Sequence, residues 1–218
     1  MTNKWLSFSI PTDILGLQLW LDASDTDTIT SSGGAVSQWD DKSGNSNNAT
    51  QGTGSAQPTT GASTQNGENI IDFDGGDTFV LPSALYSIPN GSNTIFAVTK
   101  RTSEDATLDA IVGMQESSST RYILSFDATS GVLDFRSNNI ASGAITISGA
   151  TNTDFQIVRG RRNGTTQAIS FNGSAEQTNT SGADENGVDA AHIASLGGSG
   201  NFLVGSIAEM LVYNRSLT

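Results

Sequence analysis

Short apolar stretches, separated by Gly, Asn, Asp and Ser at intervals of about 8–12 residues, constrain the fold of this chain more than any other feature. The clearest is Leu15–Asp22. Leu15, Leu17, Leu19 and Leu21 alternate there with Gly16, Gln18, Trp20 and Asp22, the period of a half-buried strand. A second short strand follows at Val36–Trp39, and Asp40-Asp41-Lys42-Ser43-Gly44-Asn45 ends it. Asp and Asn side chains bond nearby backbone in such turns, and Gly accepts positive φ.

The same pattern recurs downstream. Ile71 and Phe73 alternate before the turn Asp74-Gly75-Gly76-Asp77, and Phe79–Leu81 continues beyond it. Thr94–Val98 is apolar on both faces, as a central strand should be. Tyr122–Phe126 and Val132–Phe135 flank a Gly-closed hairpin loop at 127–131. Asn163-Gly164, a strong hairpin signal, separates Phe155–Val158 from Ala168–Phe171. Ala110–Gly113 and Ile193–Leu196 are short strands, and Phe202–Tyr213 is the last long one. Residues 49–68 show no periodicity and read as a surface connection.

Roughly ten to twelve strands result, which predicts an all-β, two-sheet antiparallel jelly-roll sandwich over residues 15–218. An arm or edge strand, 1–14, precedes it. Alternation assigns Leu17, Leu19, Trp39, Phe73, Phe96, Val98, Leu124, Phe126, Phe155, Ile157, Ile169, Phe171, Ile207 and Leu211 to the core.

Composition narrows the function. Ten basic residues against 22 acidic ones give a net charge of −12, which argues against nucleic acid or an anionic membrane as partner. Arg159, Arg161 and Arg162, the one basic cluster, read as a solvated hairpin end. No cysteine is present, so disulfides and thiolate metal sites are excluded. The N-terminus lacks the apolar core and cleavage site of a signal peptide, and no apolar run approaches the ~20 residues of a membrane span.

Trp20-Leu21-Asp22-Ala23-Ser24-Asp25, Trp39-Asp40-Asp41-Lys42-Ser43-Gly44-Asn45 and Asn48-Ala49-Thr50-Gln51 resemble the opening of laminin-G-like domains of the concanavalin A-like lectin/glucanase superfamily. Gln57-Pro58, Asp72-Phe73-Asp74-Gly75 and the run from Gly205 to Arg215 agree with it in order. The resemblance implies a concanavalin A-like sandwich of the type found in phage and bacterial surface proteins. It leaves function open, because the same fold carries lectins, adhesion modules, enzymes and virus structural proteins.

Chemistry-bearing patterns are few. His192 is the single histidine, and neither a Gly-x-Ser-x-Gly elbow nor a phosphate loop occurs. A retaining glycosidase needs two carboxylates about 5–5.5 Å apart. None of Glu68, Glu104, Glu116, Glu176, Glu185 and Glu209 has a strand partner spaced for that, so no enzyme activity is expected. Asp22, Asp25, Asp74 and Asp77 could supply oxygens to a calcium ion at a sandwich rim, the one cofactor the sequence suggests; otherwise they cap turns. Trp5, Trp20, Trp39, Tyr86, Tyr122 and Tyr213 are candidate stacking platforms for a glycan, although most follow the core pattern.

These readings predict a non-enzymatic virion module of a phage, made in the host cytoplasm and attached to a capsid or tail, which could also bind a glycan. Its partners would be other virion proteins or copies of itself, with the apolar arm Trp5, Leu6, Phe8 and Ile10 as the attachment. The alternative is a carbohydrate-binding or adhesion module of a bacterial surface or extracellular protein. A glycoside hydrolase of the same fold is the third reading.

Overall fold

The structure is a computed structural model and describes residues 10–102, 107–116, 120–137, 143–150, 154–182 and 187–218. The arm residues Trp5, Leu6 and Phe8 therefore lie outside the described residues, and Ile10 is exposed. Seventeen strands are described: β1 Leu17–Asp22, β2 Ile29–Ser32, β3 Ala35–Trp39, β4 Ala49–Thr50, β5 Thr59–Gln65, β6 Glu68–Asp74, β7 Phe79–Val80, β8 Asn93–Arg101 and β9 Asp109–Glu116 come first. Then follow β10 Thr120–Phe126, β11 Val132–Ser137, β12 Ile145–Ser148, β13 Gln156–Asn163, β14 Thr166–Phe171, β15 Gln177–Asn179, β16 Ala190–Ile193 and β17 Val204–Tyr213. Short 3-10 turns are the only helical segments among the described residues. The all-β expectation holds.

Every pairing is antiparallel, and the strands fall into two layers. The first runs β15-β14-β13-β8-β17, and the far edge of β17 is shared. Its Val204–Ile207 half pairs with β6 and its Glu209–Tyr213 half with β1. The second layer runs β12-β11-β10-β9-β16-β7-β4-β3-β2. A single Ala35–Thr59 pairing links β3 to β5, and so joins the layers at one rim.

Side chains from both layers interdigitate, as in a sandwich. A Cβ on Gly160 of β13 would meet the Phe135 ring of β11 at 2.8 Å. Phe73 and Phe79 meet edge to face with centroids 6.1 Å apart. Tyr122 of β10 donates its hydroxyl hydrogen to Asn93 Oδ1 of β8. Of the expected core, Leu17, Leu19, Trp39, Phe73, Leu124, Phe126, Ile169 and Ile207 are buried.

Four of the expected core residues face outward: Phe96, Val98 and Leu211 are half-buried and Ile157 is 55% exposed. Phe155 and Phe171 are also only half-buried. Parity explains the error. A strand that is apolar on both faces does not announce its inner side, and β8 turns Ile95 and Ala97 inward. On β17 a bulge between Ile207 and Glu209 flips the alternation, so Met210 and Val212 follow Ile207 inward and Leu211 points out. β13 buries Gln156, Val158 and Arg162, leaving Ile157 and Arg159 outside.

Two other expectations are corrected. Residues 49–68 hold β4, a 3-10 turn at Gly54–Ala56 and β5 rather than a bare connection. The arginines are not a solvated hairpin end. Arg162 is buried and donates to the carbonyls of Pro89 and Gly164, and Arg161 is 8% exposed.

Candidate functional site

The first layer presents an outward groove of about 490 Å³. Strand register builds its floor. Leu211, Phe96 and Arg159 lie side by side on β17, β8 and β13, and the next row holds Glu209, Val98 and Ile157. The ends of the chain form the walls: Pro11 and Ile14 on one side, Leu217 and Thr218 on another. Tyr213 meets Phe96 edge to face, with centroids 6.4 Å apart, and donates its hydroxyl hydrogen to Pro11 O at 3.2 Å. The phenol pins the chain entering β1 against the groove.

Polar groups bracket this apolar floor. On the β13 side Glu176 gathers two arginines. Arg161 contacts it through both carboxylate oxygens, and Arg159 Nη2 reaches Oε1 at 2.7 Å. The bond from Arg161, ahead of the opposing effect of burial, holds the Glu176 carboxyl below its usual value. Arg159 Nε donates to Ser170, which leaves Nη1 without a protein partner among the described residues.

On the β17 side Glu209 accepts the indole hydrogen of Trp20 at 2.9 Å. Burial lifts the Glu209 carboxyl above its usual value, against that bond. Arg159 and Glu209 stand two strands apart, about 10 Å across the sheet.

The four aspartates proposed for calcium are not brought together. Asp22 lies opposite Glu209 on β17 and Asp74 opposite Val204, five positions along the strand, or about 16 Å. Lys42 Nζ sits 2.8 Å from both Asp22 and Asp25 and 4.5 Å above the Trp20 ring. Burial works to raise the Asp22 carboxyl, but hydrogen bonds from Lys42 and Ser24 outweigh it and hold it low. Asp74 N donates to Asp77 Oδ2, and Gly76 N to Asp74 Oδ1. Burial, joined by the charge of Asp74, pushes the Asp77 carboxyl up to about 6. Among the described residues no group of three or more His, Asp or Glu is placed to hold a metal ion.

The Asp-rich turn serves the fold. Asp41 Oδ1 accepts the Trp20 and Ser43 amides, and Oδ2 accepts the Asn47 amide and the Ser43 hydroxyl hydrogen. Lys42 N donates to Trp20 O, while Asn45 and Asn47 donate to the Leu17 and Gln18 carbonyls. The turn thereby caps the free edge of β1, which would otherwise expose unpaired backbone groups. Of the candidate stacking aromatics, Trp39, Tyr122 and Tyr213 are buried and Trp20 and Tyr86 half-buried; Trp5 lies outside the described residues. His192 is half-buried and packs on Gly198.

Sequence reasoning misses the groove because its apolar floor residues carry the same pattern as core residues. In sequence Arg159 reads as part of a hairpin end, and Glu209 as a carboxylate lacking a strand partner. The bulge between Ile207 and Glu209 on β17 has no sequence signature that separates them.

No protein-family model matches the chain, and no curated protein sequence does. Solved structures do. The chain is similar to the CBM40 module of a Ruminococcus gnavus IT-sialidase bound to α2,3-sialyllactose, at 18% identity and TM-score 0.59, over 68% of this chain and 91% of that one. A leech intramolecular trans-sialidase matches at 18% identity and TM-score 0.59, over 69% of this chain and 26% of that one. Trypanosoma rangeli sialidase in complex with sialic acid matches at 18% identity and TM-score 0.64, over 94% of this chain. Only 32% of that sialidase is covered, so this chain spans about a third of its length. At such identities the likeness establishes the fold: a β-sandwich shared with carbohydrate-binding modules and with parts of sialidases.

Proposed function

We propose that this chain is a carbohydrate-binding module and that its outward groove receives the sugar. The observation that carries the reading is the match to nine-tenths of a solved carbohydrate-binding module, where the sialidases match over a third of their length or less. The groove adds the chemistry. Its volume falls in the ordinary range for small-ligand sites. Phe96, Leu211 and Val98 offer an apolar floor for the C–H face of a pyranose, and Arg159 Nη1 and Glu209 offer a donor and an acceptor for its polar groups. The virion reading draws no support from these comparisons, whereas its alternative, a carbohydrate-binding module, does. The finer placement in a concanavalin A-like, laminin-G-like family fits this sandwich and is part of the proposal.

Binding without hydrolysis is the role the groove suits. Glu209 is the one acidic side chain among its described lining residues, where most glycosidases use two. A tyrosine nucleophile, the sialidase exception, would need an ionisable phenol. Burial and the Glu209 charge raise the Tyr213 phenol instead, and Pro11 O engages its hydroxyl.

Isothermal titration with α2,3-sialyllactose, lactose and neutral oligosaccharides tests the reading. A saturable signal that Arg159→Ala weakens at least fivefold, in a protein that still melts cooperatively, is the expected result. No binding across a broad glycan array, or turnover of a fluorogenic glycoside, would overturn it.

A further inference from the structure

We infer that the outward groove selects 6-deoxyhexoses, sugars that carry a methyl group where a common hexose carries a hydroxymethyl. The inference rests on the carbohydrate reading and names the class of sugar for that same groove. Its basis is how little of the floor can bond a hydroxyl. β17, β8 and β13 each have a neighbour on both sides here, so their backbone groups are bonded within the sheet. The polar side chains of the lining are Arg159, Glu209, Tyr213 and Thr218. Tyr213 is buried and gives its hydroxyl hydrogen to Pro11 O, and Thr218 stands on a wall. On the floor this leaves Arg159 Nη1 and Glu209 Oε2, and neither has a protein partner among the described residues.

Register sets these two atoms at opposite corners. Arg159 ends the row that starts with Leu211 and Phe96, and Glu209 starts the row that ends with Val98 and Ile157. Between the corners the floor is hydrocarbon, and Ile157 is 55% exposed. An ordinary hexopyranose carries oxygen on every ring carbon and on its hydroxymethyl arm. Laid on this floor, it can bond one hydroxyl at each corner. An arm that then lies over Val98 and Ile157 loses water from its hydroxyl and gains no protein partner, which is unfavourable. A methyl in the same place leaves no polar group unpaired and adds apolar burial. An N-acetyl group also ends in a methyl, but its N–H and C=O need partners that the floor does not supply.

Sugars that differ by a single oxygen test this. Isothermal titration of the full chain would compare methyl L-fucoside with methyl L-galactoside, methyl L-rhamnoside with methyl L-mannoside, and methyl D-fucoside with methyl D-galactoside. In at least one pair the 6-deoxy sugar should bind roughly tenfold more tightly, within the moderate range by which an apolar site rejects an added hydroxyl. Val98→Ser/Ile157→Ser should bring that ratio to within twofold. Val80→Ser, an exposed site on β7 in the other layer, should leave it unchanged. Both proteins should melt cooperatively; if the double variant does not, Ile157→Ser alone, at the more exposed position, reads the same ratio. Equal affinities within every pair, tighter binding of the parent hexoses, or a ratio that survives the serine substitutions would overturn the inference and leave the carbohydrate reading in place. No binding of any sugar across a broad glycan array would remove that reading, and the inference with it.

Discussion

Gly160 offers a direct test of how the two layers meet. Its backbone is not in the left-handed region, so alanine should be tolerated locally and even gain about 0.5–1 kcal/mol by restricting the unfolded chain. Packing opposes this gain. The added methyl would sit 2.8, 3.0 and 3.2 Å from three atoms of the Phe135 ring. That ring is buried and already engaged edge to face with Tyr122, its centroid 5.4 Å away. Overpacking of this kind costs about 1–3 kcal/mol, so Gly160→Ala should destabilise by about 1–2 kcal/mol net. At this chain length that is a fall of about 2–8 °C in Tm. Phe135→Leu should cost about 1–3 kcal/mol alone, through lost volume and the lost edge contact. In that background the alanine methyl has room, and Gly160→Ala should become neutral or stabilising. Urea titrations of the four proteins would then give a coupling of about 2 kcal/mol. Additivity within about 0.5 kcal/mol would show that β13 and β11 do not face each other at this point, and the layering described above would be wrong.

The remaining predictions follow from single contacts. Asp77, with a folded carboxyl near 6 against 3.8 unfolded, favours the native state below about pH 4 and loses that contribution as pH rises through 6. Asp77→Asn should therefore gain about 1–2 kcal/mol on the wild type between pH 4 and pH 7, after discounting for solvent screening, and a pH-independent difference would refute it. Glu176→Gln should cost about 1–2 kcal/mol at pH 7 by leaving Arg159 and Arg161 uncompensated; since the Glu176 carboxyl is held low, the difference should shrink as pH falls below 4. Asp41→Ala should cost about 2–4 kcal/mol and promote aggregation through the uncapped β1 edge, as measured by urea titration and light scattering. Because Lys42 already neutralises Asp22 and Asp25, millimolar calcium should leave Tm unchanged; a rise above about 3 °C would mean that an ion site forms.

What could be read from the sequence was whatever local chemistry decides. The alternation in Leu17–Asp22 recurs as alternate burial in β1, and Asn163-Gly164 joins β13 to β14 as its turn signal required. What could not be read was parity. In β8 both candidate faces are apolar, and only the packing partner selects Ile95 and Ala97 for the interior. In β13 the inward face carries Gln156 and Arg162, whose burial depends on Asn172 and Pro89, residues distant in sequence. The groove was lost for the same reason. An apolar residue facing a ligand surface and one facing the core are the same letter, and Phe96, Val98, Ile157 and Leu211 were assigned to the wrong side together.

The residues that carry the resemblance are accounted for by the scaffold, which limits what the resemblance can say about a ligand. Trp20 and Glu209 hold β1 to β17, Asp22 and Asp25 hold Lys42, and Asp41, Asn45 and Asn47 close the β1 edge. Asp72 accepts the Ser206 hydroxyl hydrogen on the neighbouring strand, and Asp74 closes its own turn. Each of these side chains satisfies backbone or a neighbour in any sandwich built this way, whatever it binds. A fold can therefore be shared at 18% identity while the surface that meets a ligand is free to change. On the proposed carbohydrate reading, that surface is the row of Leu211, Phe96 and Arg159 and the row of Glu209, Val98 and Ile157 beside it. Of these six, Leu211 and Glu209 belong to the resembling run, and Glu209 is held there by Trp20. If the groove receives a sugar as proposed, its choice falls to Phe96, Val98, Ile157 and Arg159 on β8 and β13. Exchanging those four side chains should change which glycan is bound, and leave the melting temperature closer to the wild type than Asp41→Ala does.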